Sequence, residues 1–518
     1  MTNFATALEA GYGFPDDSLV LGAALEGETL HQEPMVRFPL AMLNRHGLVA
    51  GATGTGKTRT LQLMAEQLSA KGVPVFVADI KGDLQGLAVP GESSDKLRAR
   101  ADSMAYAWTP GGSPVEFVSL SGAMGAQLRA TVSGFGPLLL ARLLDLNDTQ
   151  SGVLAMVFKY CDDRGLLLLD FADLRSVLQF LTSDEAKDEL KDYGSMSRQT
   201  VGVLLRNMIA LEAQGAEKFF GEPAFDINDL LVTTKGGKGV ITCLELADVR
   251  DKPALFSTFM MWLLAELYRN LPEEGDLPKP KLVFFFDEAH LLFDQAPKAL
   301  RDQIEQVIRL IRSKGVGVFF VTQTPKDVPN DVLAQLGNRV QHALRAHTPD
   351  DEAALRATAR TYPRTEYYDL EETLTMLGVG EAVVSGLDPG GRPAPVVACR
   401  LVPPIGRMDT LTPDEFKVEL AQSDLMREYA TPLDRESAHE MLAKRMEAAA
   451  AVAEEAGEDA AEKPKKRASR RQSTAETVTK RVLGAVGTQV GRAIARGVLG
   501  VFGLSTTGRR TRRTRSWF

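Results

Sequence analysis

The segment RHGLVAGATGTGKT, residues 45–58, carries the most specific structural signal in the sequence. Its apolar first half leads into GATGTGKT, which matches GxxxxGK[ST] in full. Glycines let the backbone wind around a triphosphate with successive N–H groups aimed at oxygens. Lys57 is placed to reach the β- and γ-phosphates, Thr58 to bind magnesium, and the helix that follows to add its positive dipole end. The sequence therefore predicts a nucleotide-binding segment made of Gly51, Ala52, Thr53, Gly54, Thr55, Gly56, Lys57, Thr58 and Arg59.

The segments that follow this loop alternate between helix and strand patterns. In LQLMAEQLSAKG, residues 61–72, apolar residues recur every three or four positions, and VPVFVADI, residues 73–80, is a short apolar run. Further strand patterns are separated by helical ones, which is typical of a parallel sheet covered by helices. We therefore expect an α/β fold whose later strands are GVITCLELA (239–247), KLVFFFDEAH (281–290) and VGVFFVTQ (316–323).

Two acids end the second of these later strands. Asp287 and Glu288 follow the unbroken apolar run LVFFF, and a buried carboxylate is costly unless a cation meets it. At the carboxyl edge of a parallel sheet, Asp287 would hold the magnesium of the nucleotide indirectly. Glu288 would polarise the attacking water as general base. The alternative is a strand that ends in a solvated Asp-Glu turn.

A neutral amide ends the next strand. Gln323 follows the apolar run VFFVT and could bond both the γ-phosphate and the water, and so sense the nucleotide state. The alternative is an ordinary glutamine at a strand end. The guanine-reading motif NKxD does not occur in the sequence, so ATP is favoured over GTP.

Charge is distributed unevenly along the chain. The formal net charge is −8, yet residues 463–518 carry +14, which leaves −22 for residues 1–462. This excludes a domain that is basic overall, but not a basic lining hidden inside an acidic ring. The N-terminus lacks the pattern of a secretory signal, so we expect a cytoplasmic protein. No CxxC spacing occurs, and small buried residues rather than a disulfide or zinc cluster are expected at Cys161, Cys243 and Cys399.

The composition divides the chain into five predicted segments. These are an N-terminal leader (1–40), an ATPase core (41–121 and 235–405), a helical insertion (122–234), C-terminal helices (406–462) and a basic, flexible tail (463–518).

The tail contains the apolar stretch VLGAVGTQVGRAIARGVLGVFGL, residues 482–504. Arg492 and Arg496 interrupt it and would be costly at the centre of a bilayer. Three alternatives are open: an interfacial helix on anionic lipid, a self-associating helix, or a flexible arm that binds nucleic-acid phosphates.

Several of these stretches together resemble a known family. The HerA-like branch of the HerA/FtsK superfamily is similar to this chain over roughly residues 10–410, most of all its bacterial group typified by YjgR. The resemblance implies a RecA-like P-loop NTPase core that assembles as a hexameric ring, binds ATP and Mg²⁺, and drives DNA through its pore. The stretches are RHGLVAGATGTGKT, ADIKGDLQGLA, FFFDEAHLLF, IRLIRSKGVGVFFVTQTPKDVPNDVL and QLGNRVQHALRA.

The resemblance also implies roles for individual residues. By motif position, the roles argued above are inherited by Lys57, Thr58, Asp287, Glu288 and Gln323. In such rings an arginine of the adjacent subunit completes the site.

Arg312 best matches that arginine, with Arg309 and Arg345 as alternatives and a solvated helix face as the ordinary explanation. The carboxylates of DIKGD, residues 79–83, could bear on the magnesium site or on a neighbour, or form an ordinary turn. His290 would orient Glu288 or simply pack at the surface.

One departure from the family limits what is carried over. HerA helicases have an N-terminal β-barrel that docks a nuclease, and only about fifty residues precede the loop here. The nuclease partnership is therefore not expected.

Two functions follow as hypotheses. The first is a hexameric, ATP-driven DNA translocase or helicase. The second is an ATP-dependent assembly or scaffold protein that acts on protein partners, including at a membrane surface, without nucleic acid.

Overall fold

The computed structural model describes residues 3–448, except residues 184–185, 187, 294–297 and 347. The predicted basic tail, residues 463–518, lies outside the described residues. The chain forms two compact units. Of the described residues, the first comprises 3–146 and 206–433, and the second comprises 147–205 and 434–448.

The first unit contains a twelve-stranded sheet. Its strand order is β2-β1-β12-β11-β10-β3-β9-β8-β4-β7-β5-β6, with parallel pairing from β10 to β6 and antiparallel pairing from β2 to β10. The strands are β1 (Ser18–Glu26), β2 (Thr29–Pro39), β3 (Gly47–Ala50), β4 (Val75–Asp79), β5 (Val115–Ser119), β6 (Ala126–Gln127), β7 (Ile241–Glu245), β8 (Leu282–Phe286), β9 (Val316–Thr322), β10 (Asn338–His342), β11 (Glu381–Ser385) and β12 (Val397–Leu401).

Helices connect and cover these strands. Among the described residues, no helix is long and apolar enough to cross a membrane. The helices are α1 (Phe4–Tyr12), α2 (Lys57–Ala70), α3 (Asp95–Ser103), α4 (Val132–Leu143), α5 (Asp148–Arg164), α6 (Phe171–Leu181), α7 (Arg198–Glu212), α8 (Pro253–Asn270), α9 (His290–Phe293), α10 (Lys298–Ile311), α11 (Asn330–Leu333), α12 (Pro349–Ala359), α13 (Leu370–Met376), α14 (Pro413–Gln422) and α15 (Asp424–Tyr429).

The central strands are buried on both faces, which explains their unbroken apolar sequences. Along β8, Val283 and Phe285 share a core cluster with Leu61 of α2. Side chains alternate along a strand, so Phe286 points to the opposite face, where its ring stacks on that of Phe320, 5.6 Å away. Full burial of each large apolar side chain stabilises the fold by about 1.5–3 kcal/mol. The predicted α/β fold with a mainly parallel sheet flanked by helices is confirmed.

The segment predicted as a leader contributes structure of its own. Residues 4–12 form α1, and β1 and β2 form the outer edge of the sheet through antiparallel pairing with β12. Apolar residues of these elements, including Leu8, Leu21 and Phe38, belong to the main core cluster. The period-two pattern of SLVLGAALE is short and rich in Ala, so its strand signal is weak.

The second unit is helical. It contains α5 and α6, and its residues 438–448 are also helical. Within it, the backbone N–H of His439 donates to Asp173 Oδ1 (2.8 Å), and Arg445 Nη2 lies 2.9 Å from Glu189 Oε1. Of the predicted insertion at residues 122–234, this unit contains only residues 147–205, and it also contains residues 434–448. The predicted domain boundaries stay a prediction.

Candidate nucleotide-binding and hydrolysis site

The glycine-rich loop joins β3 to α2 at the carboxyl edge of the parallel strands. Gly51 and Gly54 adopt φ angles of 152° and 77°. A Cβ on Gly51 would lie 2.5 Å from the Cβ of His342, so no larger residue fits there. A Cβ on Gly54 would meet no atom within 4 Å, so backbone conformation alone favours glycine. The loop thus has the strained, open curve that a phosphate cradle needs.

Neighbouring strands hold the loop in place. The N–H of Gly51 donates to the carbonyl of Thr322 at the end of β9 (3.3 Å), and that of Ala52 donates to Ala343, just after β10 (2.9 Å). Beneath the loop, His342 Nε2 lies 2.8 Å from Thr60 Oγ1. Burial lowers the pKa of His342 to about 4, so this imidazole is neutral. His342 was not predicted as a site residue, since a histidine inside a strand belongs to no sequence motif.

Lys57 lies in the first turn of α2 and is buried. Its Nζ donates to the carbonyls of Gly51 (2.7 Å) and Ala52 (3.1 Å), so the ammonium sits inside the curve of the loop. Burial lowers the pKa of Lys57, and Lys81 adds to this, whereas Glu288 and Asp287 oppose it. The charges of the acid pair therefore act on the loop lysine, as the predicted site requires.

The acid pair directly follows β8. Asp287 and Glu288 are 2% and 8% exposed, and burial raises the pKa of Asp287 to about 7. Among the described residues, Asp287 Oδ2 and Glu288 Oε2 are buried without a hydrogen-bond partner. Unpartnered buried carboxylate oxygens favour a cation or a water in contact with them. Carboxylate and hydroxyl oxygens are hard ligands of the kind that Mg²⁺ prefers, so Asp287 and Thr58 fit a magnesium site.

A lysine from another strand meets the acid pair. Lys81, two residues beyond β4, places its Nζ 2.6 Å from Glu288 Oε1 and 3.7 Å from Asp287 Oδ2. From the sequence, roles were predicted for the carboxylates of DIKGD but not for this lysine. Its place after an apolar strand indicated the carboxyl edge of the sheet, but the sequence does not show that β4 lies next to β8.

Asp79, the first carboxylate of DIKGD, is held by the backbone of its own turn. Asp79 accepts hydrogen bonds from the N–H groups of Lys81 (3.1 Å), Gly82 (2.7 Å) and Leu84 (2.9 Å). Burial raises the pKa of Asp79 to about 6. Ligand atoms of Asp79, Asp83 and Asp287 lie within 4.8 Å of one another. Asp79 therefore shapes the turn, while its charge also reaches the acid pair.

The predicted sensor lies beside both motifs. Gln323 directly follows β9, which pairs with β3 on one side and with β8 on the other. Its side chain is exposed at the carboxyl edge of the sheet. His290 places its Nδ1 3.4 Å from Glu288 Oε2. These positions allow both residues to act at the site, and their roles stay predictions.

The predicted arginines are divided between the two edges of the sheet. Arg309 on α10 and Arg312 just after it precede β9, so they lie at the amino edge. With seven residues, and so six steps of roughly 3.3 Å, β9 spans about 20 Å between them and the loop. Arg345 follows β10 at the carboxyl edge and donates to the carbonyl of Thr375 (2.7 Å). Arg59 directs its Nη1 to Gln62 Oε1 (3.1 Å). The structure therefore brings neither Arg309 nor Arg312 to the loop of its own subunit.

A parallel sheet with a phosphate-binding loop and a facing acid pair on separate strands defines a P-loop ATPase. The sequence model described as helicase HerA-like C-terminal matches residues 25–509, so the chain belongs to this family. The predicted recognition and ATPase class are confirmed.

Individual relatives are distant. The DNA double-strand break repair helicase HerA of Sulfurisphaera tokodaii is 22% identical over 383 residues, which cover 70% of this chain and 66% of the relative. HerA of Sulfolobus acidocaldarius is 20% identical over 366 residues, with the same coverage. The chain thus spans less than two thirds of the length of these HerA relatives.

Among solved structures, the bacterial conjugative coupling protein TrwB has a TM-score of 0.47 at 15% identity, covering 78% of this chain and 99% of TrwB. VirB4 of Thermoanaerobacter pseudethanolicus has a TM-score of 0.44 at 14% identity, covering 76% and 98%.

Proposed function

We propose that this chain is the subunit of a homo-oligomeric ring, a hexamer, that hydrolyses ATP to move DNA. The observation that carries the proposal is the buried acid pair with unpartnered oxygens, placed where its charge acts on Lys57. A protein that only bound nucleotide would not need a second acid, Glu288, buried beside the first. The family description and the DNA repair helicases among its relatives support DNA as the substrate.

The residues suggest a division of labour. The loop amides and Lys57 would bind the phosphates, while Thr58 and Asp287 would hold magnesium, which when bound would neutralise charge on the phosphates. Glu288 accepts the proton of the water that attacks the γ-phosphorus. The bond to the bridging oxygen breaks, and ADP leaves with its electron pair. Gln323 is placed to sense whether the γ-phosphate is present.

The position of α10 supports assembly into a ring. Arg309 and Arg312 are exposed and lie about 20 Å from the loop of their own subunit, so only a second copy could bring them to a nucleotide. An apolar groove between α4, α8 and α10 opens beside them, lined by Leu138 and Leu310, which are 78% and 37% exposed. Exposed apolar grooves of this kind mark protein interfaces.

DNA dependence is tested by measuring ATP hydrolysis with and without duplex DNA from 50 to 200 mM salt. The motor hypothesis expects stimulation that weakens steeply, since a protein with six to ten phosphate contacts loses about 10³–10⁵ in affinity over this range. Glu288→Gln is the matched variant, because it should bind DNA and ATP without turnover. Hydrolysis indifferent to every nucleic acid at 50 mM salt would contradict the DNA proposal and favour the scaffold hypothesis.

The ring arrangement is tested by mixing two inactive variants. Arg312→Ala lacks the proposed trans-acting cation, and Lys57→Ala lacks the phosphate-binding lysine. Mixed rings should regain hydrolysis, because some interfaces combine an intact loop with an intact arginine. Arg309→Ala, mixed with Lys57→Ala in the same way, tests the alternative arginine. If mixing restores nothing while sedimentation shows mixed oligomers, Arg312 does not act across the interface.

A further inference from the structure

Lys81 is the cation nearest the acid pair among the contacts the structure describes, and ATP hydrolysis as argued above gives it no task. Its Nζ lies 2.6 Å from Glu288 Oε1, within hydrogen-bond distance, and 3.7 Å from Asp287 Oδ2. Both acids are almost fully buried, whereas the Lys81 side chain is 38% exposed. A charge pair this close, with one partner buried, is stronger than an ordinary surface ion pair.

The turn after β4 that carries Lys81 is fixed by hydrogen bonds. The carboxylate of Asp79 accepts three backbone N–H groups of the turn, at 2.7–3.1 Å, and Gly82 adopts the left-handed conformation at φ 73°. Strands β4 and β8 are direct neighbours, with Ala78 paired to Phe286. The turn after β4 and the acids after β8 therefore meet at one place on the sheet edge.

Glu288 is held in an unusual way. Its backbone has φ 48°, a left-handed conformation that residues other than glycine adopt only when surrounding contacts offset the cost. Its Oε1 is bound to Lys81, while its Oε2 is buried with no hydrogen-bond partner among the described residues. Oε1 is thus anchored, whereas Oε2, with His290 Nδ1 3.4 Å away, accepts no hydrogen bond among the described residues and can take up a proton.

We propose that Lys81 is a positioning residue for hydrolysis: by holding Oε1 of Glu288, it leaves Oε2 oriented to accept the proton of the attacking water. In this step the water oxygen bonds to the γ-phosphorus, the bond to the bridging oxygen breaks, and its electron pair leaves with ADP. The proton passes to Oε2. In this proposal Lys81 acts through Glu288 and not on the phosphate.

The test compares Lys81→Met and Lys81→Arg with the wild-type chain, in the absence of DNA so that the outcome is independent of the motor proposal. Lys81→Met should lower kcat roughly 100-fold, the cost of misplacing a reacting group by about 1 Å. KM and the affinity for a fluorescent ATP analogue with Mg²⁺ should stay within about twofold. Lys81→Arg, which keeps a cation, should recover part of kcat. Lys71→Met is the matched control, since Lys71 pairs with Asp17 at the surface.

A double variant separates positioning from a merely structural role. If Lys81 acts through the carboxylate of Glu288, adding Lys81→Met to Glu288→Gln should lower kcat no further. A further loss of about 100-fold in the double variant would overturn the proposal. So would a rise in hydrolysis in Lys81→Met, which would make Lys81 a restraint, or a loss of nucleotide affinity, which would make it a phosphate ligand.

Should Lys81→Met fail to fold, Lys81→Arg decides alone. A lower kcat at unchanged KM and unchanged nucleotide affinity supports positioning, and any other result contradicts it.

Discussion

Acidic residues in the parallel and antiparallel parts of the sheet differ in their partners and in the direction of their pKa shifts. At the carboxyl edge of the parallel strands, burial raises the pKa values of Asp79, Glu245 and Asp287 to about 6, 8 and 7. In the antiparallel part, the acid of the turn after β11 has an arginine partner: Asp388 Oδ2 lies 2.8 Å from Arg392 Nη2. Burial raises the pKa of Asp388, but hydrogen bonds and the charge of Arg392 outweigh this and lower it.

This difference distinguishes the parallel edge, which carries the candidate site, from the antiparallel part, which is structural. Carboxylates that are buried together cost free energy of folding unless they are protonated or meet a cation. The antiparallel part avoids the cost by pairing, as between Arg400 Nη2 and Glu381 Oε1 at 3.1 Å. At the parallel edge part of the cost remains: among the described residues the acid pair meets Lys81 and His290, yet Asp287 Oδ2 and Glu288 Oε2 have no hydrogen bond, as expected where a ligand completes the site.

The largest expected effect is on catalysis at the parallel edge. Glu288→Gln keeps the shape of the side chain but removes its ability to accept a proton, so kcat should fall about 10²–10⁴-fold while ATP still binds. Steady-state hydrolysis and equilibrium binding of a fluorescent ATP analogue measure the two effects. Glu26→Gln, on the exposed end of β1, is the control and should keep wild-type turnover. Normal turnover in Glu288→Gln would remove Glu288 from the mechanism.

The next effect is on stability and concerns Glu245, at the end of β7. Its carboxyl is fully buried and accepts from Gln85 Nε2 (3.2 Å). Because burial raises its pKa to about 8, the folded state holds a proton that the unfolded state releases near pH 4.5. Between these values stability should fall as pH rises, by up to about 1.4 kcal/mol per pH unit.

Glu245→Gln removes this dependence, because the amide is neutral at every pH. Urea unfolding from pH 5 to 7.5 should show the variant gaining stability relative to wild type as pH rises. A constant difference between the two proteins across this range would mean that Glu245 is ionised in the folded state.

Sequence patterns were sufficient for those elements whose burial is uniform. The strands that carry the loop, the acid pair and Gln323 are buried on both faces, so unbroken apolar runs marked them. The edge strand β2 was missed because much of it is exposed and its pattern is irregular, and its neighbour β1 was missed because Gly22 and two alanines weaken an otherwise buried apolar run. Lys81 was missed because its partners are 206 and 207 residues away, and only strand order shows that β4 and β8 are neighbours. Local sequence does not contain that order.

Two glycines of similar conformation, one in each part of the sheet, separate an effect on stability from an effect on nucleotide binding. Gly54 in the loop and Gly27 between β1 and β2 have φ angles of 77° and 61°, and a Cβ on either would meet no atom within 4 Å. Each change to Ala should therefore cost roughly 1–2 kcal/mol of stability through backbone strain alone. Only Gly54→Ala should also weaken nucleotide affinity, measured by titration with the fluorescent analogue. Equal affinities in the two variants would show that the curve at Gly54 is not used for binding.

The smallest effect concerns Asp388 in the antiparallel part, whose contribution to stability depends on pH in the opposite direction to that of Glu245. The pKa of Asp388 is lowered in the folded state, so its stabilising contribution is present above the ordinary value of 3.8 and is lost as pH falls through the folded value. Asn at this position keeps an acceptor for the N–H of Arg392 but loses the charge. Because Arg392 is 83% exposed, Asp388→Asn should cost less than about 1 kcal/mol at pH 7. That cost should shrink by pH 3, whereas the advantage of Glu245→Gln grows as pH rises. Urea unfolding of both variants between pH 3 and pH 7 tests this prediction. If the cost of Asp388→Asn increased on acidification, the pKa of Asp388 would be raised rather than lowered in the folded state.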